Sequence, residues 1–199
     1  MRKMKVSIIG TVGLPAKYGG WETLVDNLVK HLNNRFDITV YCSKKKYPIE
    51  LKEFNGAKLK YLNFNANGVQ SIPYDILSIY QSLKFADTIL ILGVSGCIFL
   101  PFVKYFGKSK IIVNIDGLEW KRNKWGKFAK MFLKFSEKIA VKFANIVITD
   151  NTAIQKYVLD KYKIKSLFIP YGGDHTKFQN HSHLVPMYEF LNLPYAFSV

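Results

Sequence analysis

An α/β fold built on a doubly wound parallel sheet is what this sequence predicts, and three observations predict it. Short runs that are apolar throughout recur along the chain, helix-patterned segments separate them, and the first run leads through a glycine-bearing loop into a helix. Strands covered by helices on both sides read this way, since neither face of the strand needs polar residues. The strand-like runs fall at 6–9, 38–42, 59–62, 88–92, 110–114, 146–149 and 166–169, and the helical patterns at 22–32, 72–85, 125–144 and 152–161.

In the first helix Leu24, Val25, Leu28, Val29 and Leu32 share one face. The run 88–103, "TILILGVSGCIFLPFV", is shorter than the roughly 20 residues of a spanning helix and is interrupted by Gly93, Ser95, Gly96 and Pro101. It reads as a buried strand, a turn and a core helix. In the segment 125–144, Trp125, Phe128, Phe132, Phe135, Ile139 and Phe143 are expected to face the sheet, with Lys127, Lys130, Lys134, Lys138 and Lys142 on the opposite side.

The formal net charge of +15 points to an anionic partner: a phosphorylated substrate, a membrane surface or nucleic acid. No recognisable nucleic-acid-binding motif accompanies the charge, so nucleic acid is not expected. Over half of the excess lies between Lys104 and Lys142, where eleven basic residues face three acidic ones. A lysine face of this kind is either simply solvated or an electrostatic foothold on anionic lipid, through Lys127, Lys130, Lys134 and Lys138. Cys42 and Cys97 sit in apolar runs, which argues against a disulfide framework or a metal cluster and suits a reducing cytoplasm. The basic start "MRKMKVSIIG" has too short an apolar part for a signal sequence, and export is not expected.

The loop "GTVGLPAKYGGWET" at 10–23 carries the main chemical signal. Its glycine spacing is not the dinucleotide fingerprint, and "YCSKKK" closes the second strand without the acid that would hold a ribose, so a dehydrogenase is disfavoured. Gly19 and Gly20 stand at the start of a helix, where free backbone N–H groups and the positive end of the dipole suit a phosphate; a tight turn alone would also explain them. Tyr18, Trp21 and Glu22 add two rings and a carboxylate at the same strand exit, a combination suited to sugars.

Three segments, "GTVGLPAKYGGWET", "NIDGLEWKRNKWG" and "IPYGGDHTKF", resemble those of bacterial glycosyltransferases of the rhamnosyltransferase type, within family 4 of the GT-B enzymes. One departure is Val12, where that subgroup usually carries Arg. The resemblance implies a Rossmann-like N-terminal, acceptor-side domain over 1–186, with 187–199 forming a linker and the start of a C-terminal donor domain. It also implies that Gly19 and Gly20 close over the donor diphosphate and that the loop "DGLEWKR" lies near the reacting carbon. Within that loop Asp116 and Glu119 would orient the acceptor hydroxyl, and Lys121 and Arg122 would hold an acceptor phosphate; a carboxylate that merely caps the turn is the other reading of Asp116.

The expected function is the acceptor half of a retaining glycosyltransferase for cell-surface polysaccharide, cytoplasmic and peripheral on the membrane. Its donor would be a nucleotide-diphosphate sugar, of rhamnose by the resemblance, with a lipid-linked or oligosaccharide acceptor and no metal or other cofactor. The chain alone is expected to be inactive. The alternative is a non-catalytic module that binds acceptor or membrane and has no donor domain.

Overall fold

A computed structural model describes residues 2–17, 19–123 and 125–172. It contains an eight-stranded sheet ordered β3-β4-β2-β1-β5-β6-β7-β8, parallel except for the β3–β4 pair. The strands are β1 (Met4–Ile9), β2 (Phe36–Ser43), β3 (Glu53–Phe54), β4 (Ala57–Leu62), β5 (Thr88–Leu92), β6 (Lys110–Ile115), β7 (Ile146–Thr149) and β8 (Leu167–Phe168). The helices are α1 (Gly20–Leu32), α2 (Ser71–Ser82), α3 (Leu100–Phe106), α4 (Lys127–Phe143) and α5 (Thr152–Tyr162).

Chain order reverses at β1, which pairs with β2 on one side and β5 on the other. A crevice opens at the carboxyl ends of strands where the order reverses in this way. Alternation along the strands feeds two cores. Ile8, Ile38, Val40 and Cys42 pack with Val25 and Val29 of α1, whereas Ile9, Tyr41, Ile89, Ile91 and Val113 join residues of α2, α3, α4 and α5 on the other face. Both cysteines are buried free thiols inside these cores.

All seven predicted strands are present, and the two-residue β3 adds an antiparallel edge that is too short to show periodicity. The 88–103 run is β5, a turn and α3. Two expectations about α4 need correcting. The helix begins at Lys127, which leaves Trp125 in the preceding loop. Its fully buried residues are Leu133, Ser136, Glu137, Ala140 and Val141; Trp125, Phe132, Ile139 and Phe143 pack against the core as expected, but Phe128 is 85% and Phe135 51% exposed. The helix has turned because polar contacts fix it: Ser136 Oγ donates to the Val94 carbonyl at 2.5 Å, and Glu137 accepts several hydrogen bonds inside the protein.

Candidate functional site

The loop after β1 is held by contacts along its length. Gly10 sits at φ +93°, and a Cβ there would lie 2.1 Å from the carbonyl oxygen of Leu92, so a glycine is required where the ends of β1 and β5 approach. Tyr74 donates its hydroxyl proton to the Thr11 carbonyl, Ser43 N–H donates to the Val12 carbonyl, and the Tyr47 hydroxyl reaches the carbonyls of Gly13 and Pro15. Glu22 completes the clamp. Its Oε1 accepts from Thr11 Oγ1 at 3.0 Å and from Val12 N–H at 2.7 Å. This placement corrects the expectation that Glu22 contacts acceptor, since the carboxylate is buried and engaged by its own loop.

A cavity of about 180 Å³ lies at the reversal point. Gly10 and Trp21 border it from the β1 side, Gly93 and Ser95 from the end of β5, and Asp116, Glu119, Arg122 and Trp125 from the segment after β6. The sequence-predicted residues Trp21, Asp116, Glu119 and Arg122 thus converge on one space. Glu119 pairs with Arg122 at 3.0 Å and accepts from the Trp125 indole at 3.3 Å, which orients a carboxylate, a guanidinium and a ring together. Asp116 is exposed as a residue, yet protein atoms crowd its carboxyl. That desolvation pushes its pKa up to about 6, with Asp150 and Glu119 reinforcing the shift and its own backbone N–H and Arg122 opposing it.

Gly19 and Gly20 lie beside this cavity, in a larger groove of about 790 Å³ that runs along α1 past Thr23, Asn27 and His31 to Tyr171. Gly19 caps α1 without a side-chain hydrogen bond, and a Cβ on Gly20 would meet nothing within 4 Å, so the first turn of the helix stands open to the groove. Trp21 and Tyr171 meet edge to face at 6.1 Å where the two depressions adjoin. Tyr18 lies outside the described residues, as do 173–199 with the second half of the "IPYGGDHTKF" segment. Among the described residues, no group of three or more His, Cys, Asp or Glu side chains is placed to hold a metal ion.

Lys121 departs from the expected phosphate contact: its ammonium lies over the Trp120 ring, 5.6 Å from the centroid, and it does not border the cavity. Of the four lysines expected on the outer face of α4, Lys127, Lys134 and Lys138 are exposed and Lys130 is half-buried. Lys134 also packs over Trp120, 5.1 Å from the ring centroid, so it is tied to the protein as well as to solvent.

Sequence reading missed three groups around the site. Glu137, 1% exposed, accepts from the Trp120 indole, from the Tyr157 and Tyr162 hydroxyls and from Lys161, and so anchors the segment that carries Glu119 and Arg122. Asp75 on α2 accepts from the Ser95 hydroxyl at 2.7 Å behind the cavity wall. Tyr171 shapes the junction described above, and its only signal in the sequence was membership of the third motif.

Comparisons with known proteins agree with this architecture. The chain superposes on sucrose-phosphate synthase from Thermosynechococcus elongatus with a TM-score of 0.68 at 14% identity, covering 96% of this chain and 53% of that one. A second structure of that enzyme, a twinned crystal of the segments 27–220 and 406–426, superposes with a TM-score of 0.58 at 11% identity, covering 86% of this chain and 91% of that one. The chain therefore spans about half the length of the first structure it matches, and at these identities the likeness shows the fold alone: a Rossmann-like, doubly wound parallel sheet. No curated protein matches in sequence. No helix among the described residues is long and apolar enough to cross a membrane. Residues 3–174 match the family model described as domain of unknown function DUF1972, and the chain belongs to that family.

Proposed function

We propose that this chain is the acceptor-side half of a retaining, nucleotide-sugar-dependent glycosyltransferase that builds cell-surface polysaccharide, with a rhamnosyl donor as the first candidate. The observation that carries the reading is the cavity at the sheet reversal, which Trp21 and Trp125 line together with Asp116, Glu119 and Arg122, a mix of aromatic rings and polar groups that suits a sugar and its hydroxyls. The adjoining turn at Gly19 and Gly20 would take the donor diphosphate through backbone N–H groups. A carboxyl near pH 6 suits Asp116 to receive or hold the acceptor hydroxyl proton at neutral pH. In the transfer the acceptor oxygen bonds to the anomeric carbon, the bond from that carbon to the diphosphate breaks, and the acceptor proton passes to Asp116 or to the departing phosphate. Arg122, paired with Glu119, would steady an anionic part of the acceptor. A C-terminal domain would supply the remaining donor contacts.

Turnover tests this reading. With dTDP-rhamnose and a lipid-linked glycan acceptor, the chain alone is expected to give no transfer, and the chain together with its donor half is expected to give transfer that Asp116→Asn reduces sharply. Transfer by the chain alone would refute the division of labour. Glycan binding that never leads to transfer, even with the donor half present, would favour a non-catalytic binding module.

A further inference from the structure

The α3–α4 surface exposes six large apolar side chains: Phe102, Tyr105 and Phe106 on α3, and Phe128, Met131 and Phe135 on α4. The two helices pack against each other, and on α3 the rings form their own cluster, with Phe102 4.9 Å from Phe99 and 4.7 Å from Phe106 between centroids. At 3.6 residues per turn, Phe128, Met131 and Phe135 share the outer arc of α4 with Lys127, Lys138 and Lys142, all exposed. Lys104 and Lys108 flank the α3 rings. The acidic residue of α4, Glu137, faces inward, so the arc carries positive charge alone.

We infer that this aromatic and basic face docks on an anionic lipid bilayer, with the rings inserted among the acyl chains and the lysines reaching to the headgroups. A protein partner is disfavoured because lysines are depleted from the centres of protein interfaces, whereas here they interleave with the rings. A bilayer interface accommodates both: the apolar face of an interfacial helix sinks past the headgroups to the start of the acyl chains, and lysine stems lie along apolar surface with their charges in the polar layer. The face is also placed for access. An apolar cleft of about 240 Å³ between Val69, Ile72, Phe128 and Phe132 shares Trp125 with the polar cavity, so a hydrocarbon chain entering at Phe128 would lead to the site. This inference goes beyond the proposed transfer and does not depend on it.

A fluorescent reporter placed at position 128 tests it. Cys42 and Cys97 are fully buried, so Phe128→Cys can be labelled selectively with an environment-sensitive dye. Phosphatidylcholine vesicles containing phosphatidylglycerol should shift its emission to the blue, doxyl-labelled acyl chains should quench it, and neutral vesicles should do less. In a sedimentation assay with unlabelled protein, Phe128→Ser with Phe135→Ser should weaken vesicle binding roughly tenfold or more. Lys127→Gln with Lys138→Gln should weaken it chiefly at low salt. Circular dichroism checks that the variants keep the fold. Unchanged emission with anionic vesicles at low salt, equal binding by parent and double serine variant, or lipid-free dimerisation that the serine variant abolishes would each overturn the inference.

Discussion

The indole N–H of Trp120 donates to the carboxylate of Glu137 at 3.0 Å, tying the segment that borders the cavity to the buried side of α4. The same carboxylate accepts from Tyr157, Tyr162 and Lys161 of α5, so one buried acid joins three parts of the chain. Glu137→Ala should strand four donors and cost roughly 3–5 kcal/mol. Glu137→Gln, which keeps one acceptor oxygen and the shape, should cost less. Urea denaturation measures both, and equal, small losses would show that the network contributes little.

A second carboxylate, Glu22, should act on the loop after β1. Without its two hydrogen bonds the Thr11 hydroxyl and Val12 N–H are left unpaired, so Glu22→Ala should destabilise by about 2–3 kcal/mol and raise amide exchange across 10–15. Hydrogen exchange that stays at the parent level in that loop would argue against the clamp.

Asp75 predicts a pH effect with a definite sign. Burial raises its pKa from 3.8 to about 7, partly opposed by the Ser95 and Gly96 hydrogen bonds. The folded state therefore holds this proton more tightly than the unfolded state. Its contribution is harmless below about pH 3.8, becomes more destabilising as pH rises, and levels off above about pH 7. The full penalty is on the order of 4 kcal/mol. Asp75→Asn removes the titration, so its stability relative to the parent should rise between pH 4 and pH 8. A constant difference across that range would contradict this account.

Gly20 separates phosphate binding from packing. A side chain there enters open space, so Gly20→Val should leave the melting temperature nearly unchanged. In the presence of the donor half it should lower donor affinity about tenfold or more, the loss of one charge-assisted hydrogen bond. Unaltered affinity, measured by calorimetry, would return Gly20 to a purely structural role.

The sheet and most helices were legible because most strands carry a short apolar run and the long helices have a polar side, patterns set by burial; the two-residue β3 carries no such run. The convergence of Trp21, Asp116, Glu119 and Arg122 followed from a simple rule, that loops after neighbouring parallel strands meet at the carboxyl edge. What was not legible was which way polar side chains turn. Glu22 looks like a ligand group in sequence and is a loop clamp in space. The rings of α4 show a helical period that suggests burial, yet Ser136 and Glu137 find stronger partners inside and rotate Phe128 and Phe135 outward. Periodicity reports how much apolar surface a helix carries, whereas long-range hydrogen bonds decide which part of it is covered.

The central claim is that the cavity beside Trp21 and Trp125 binds sugar, and the three tryptophans of the chain test it directly. In a nitrogen–proton correlation spectrum each indole N–H gives one signal. Titration with short soluble glycans should shift the Trp21 and Trp125 signals while the Trp120 signal, held on Glu137, stays in place; Trp21→Ala should weaken binding without unfolding the protein. If no indole signal moves, or if Trp120 moves while Trp21 and Trp125 stay still, the cavity is not the sugar site.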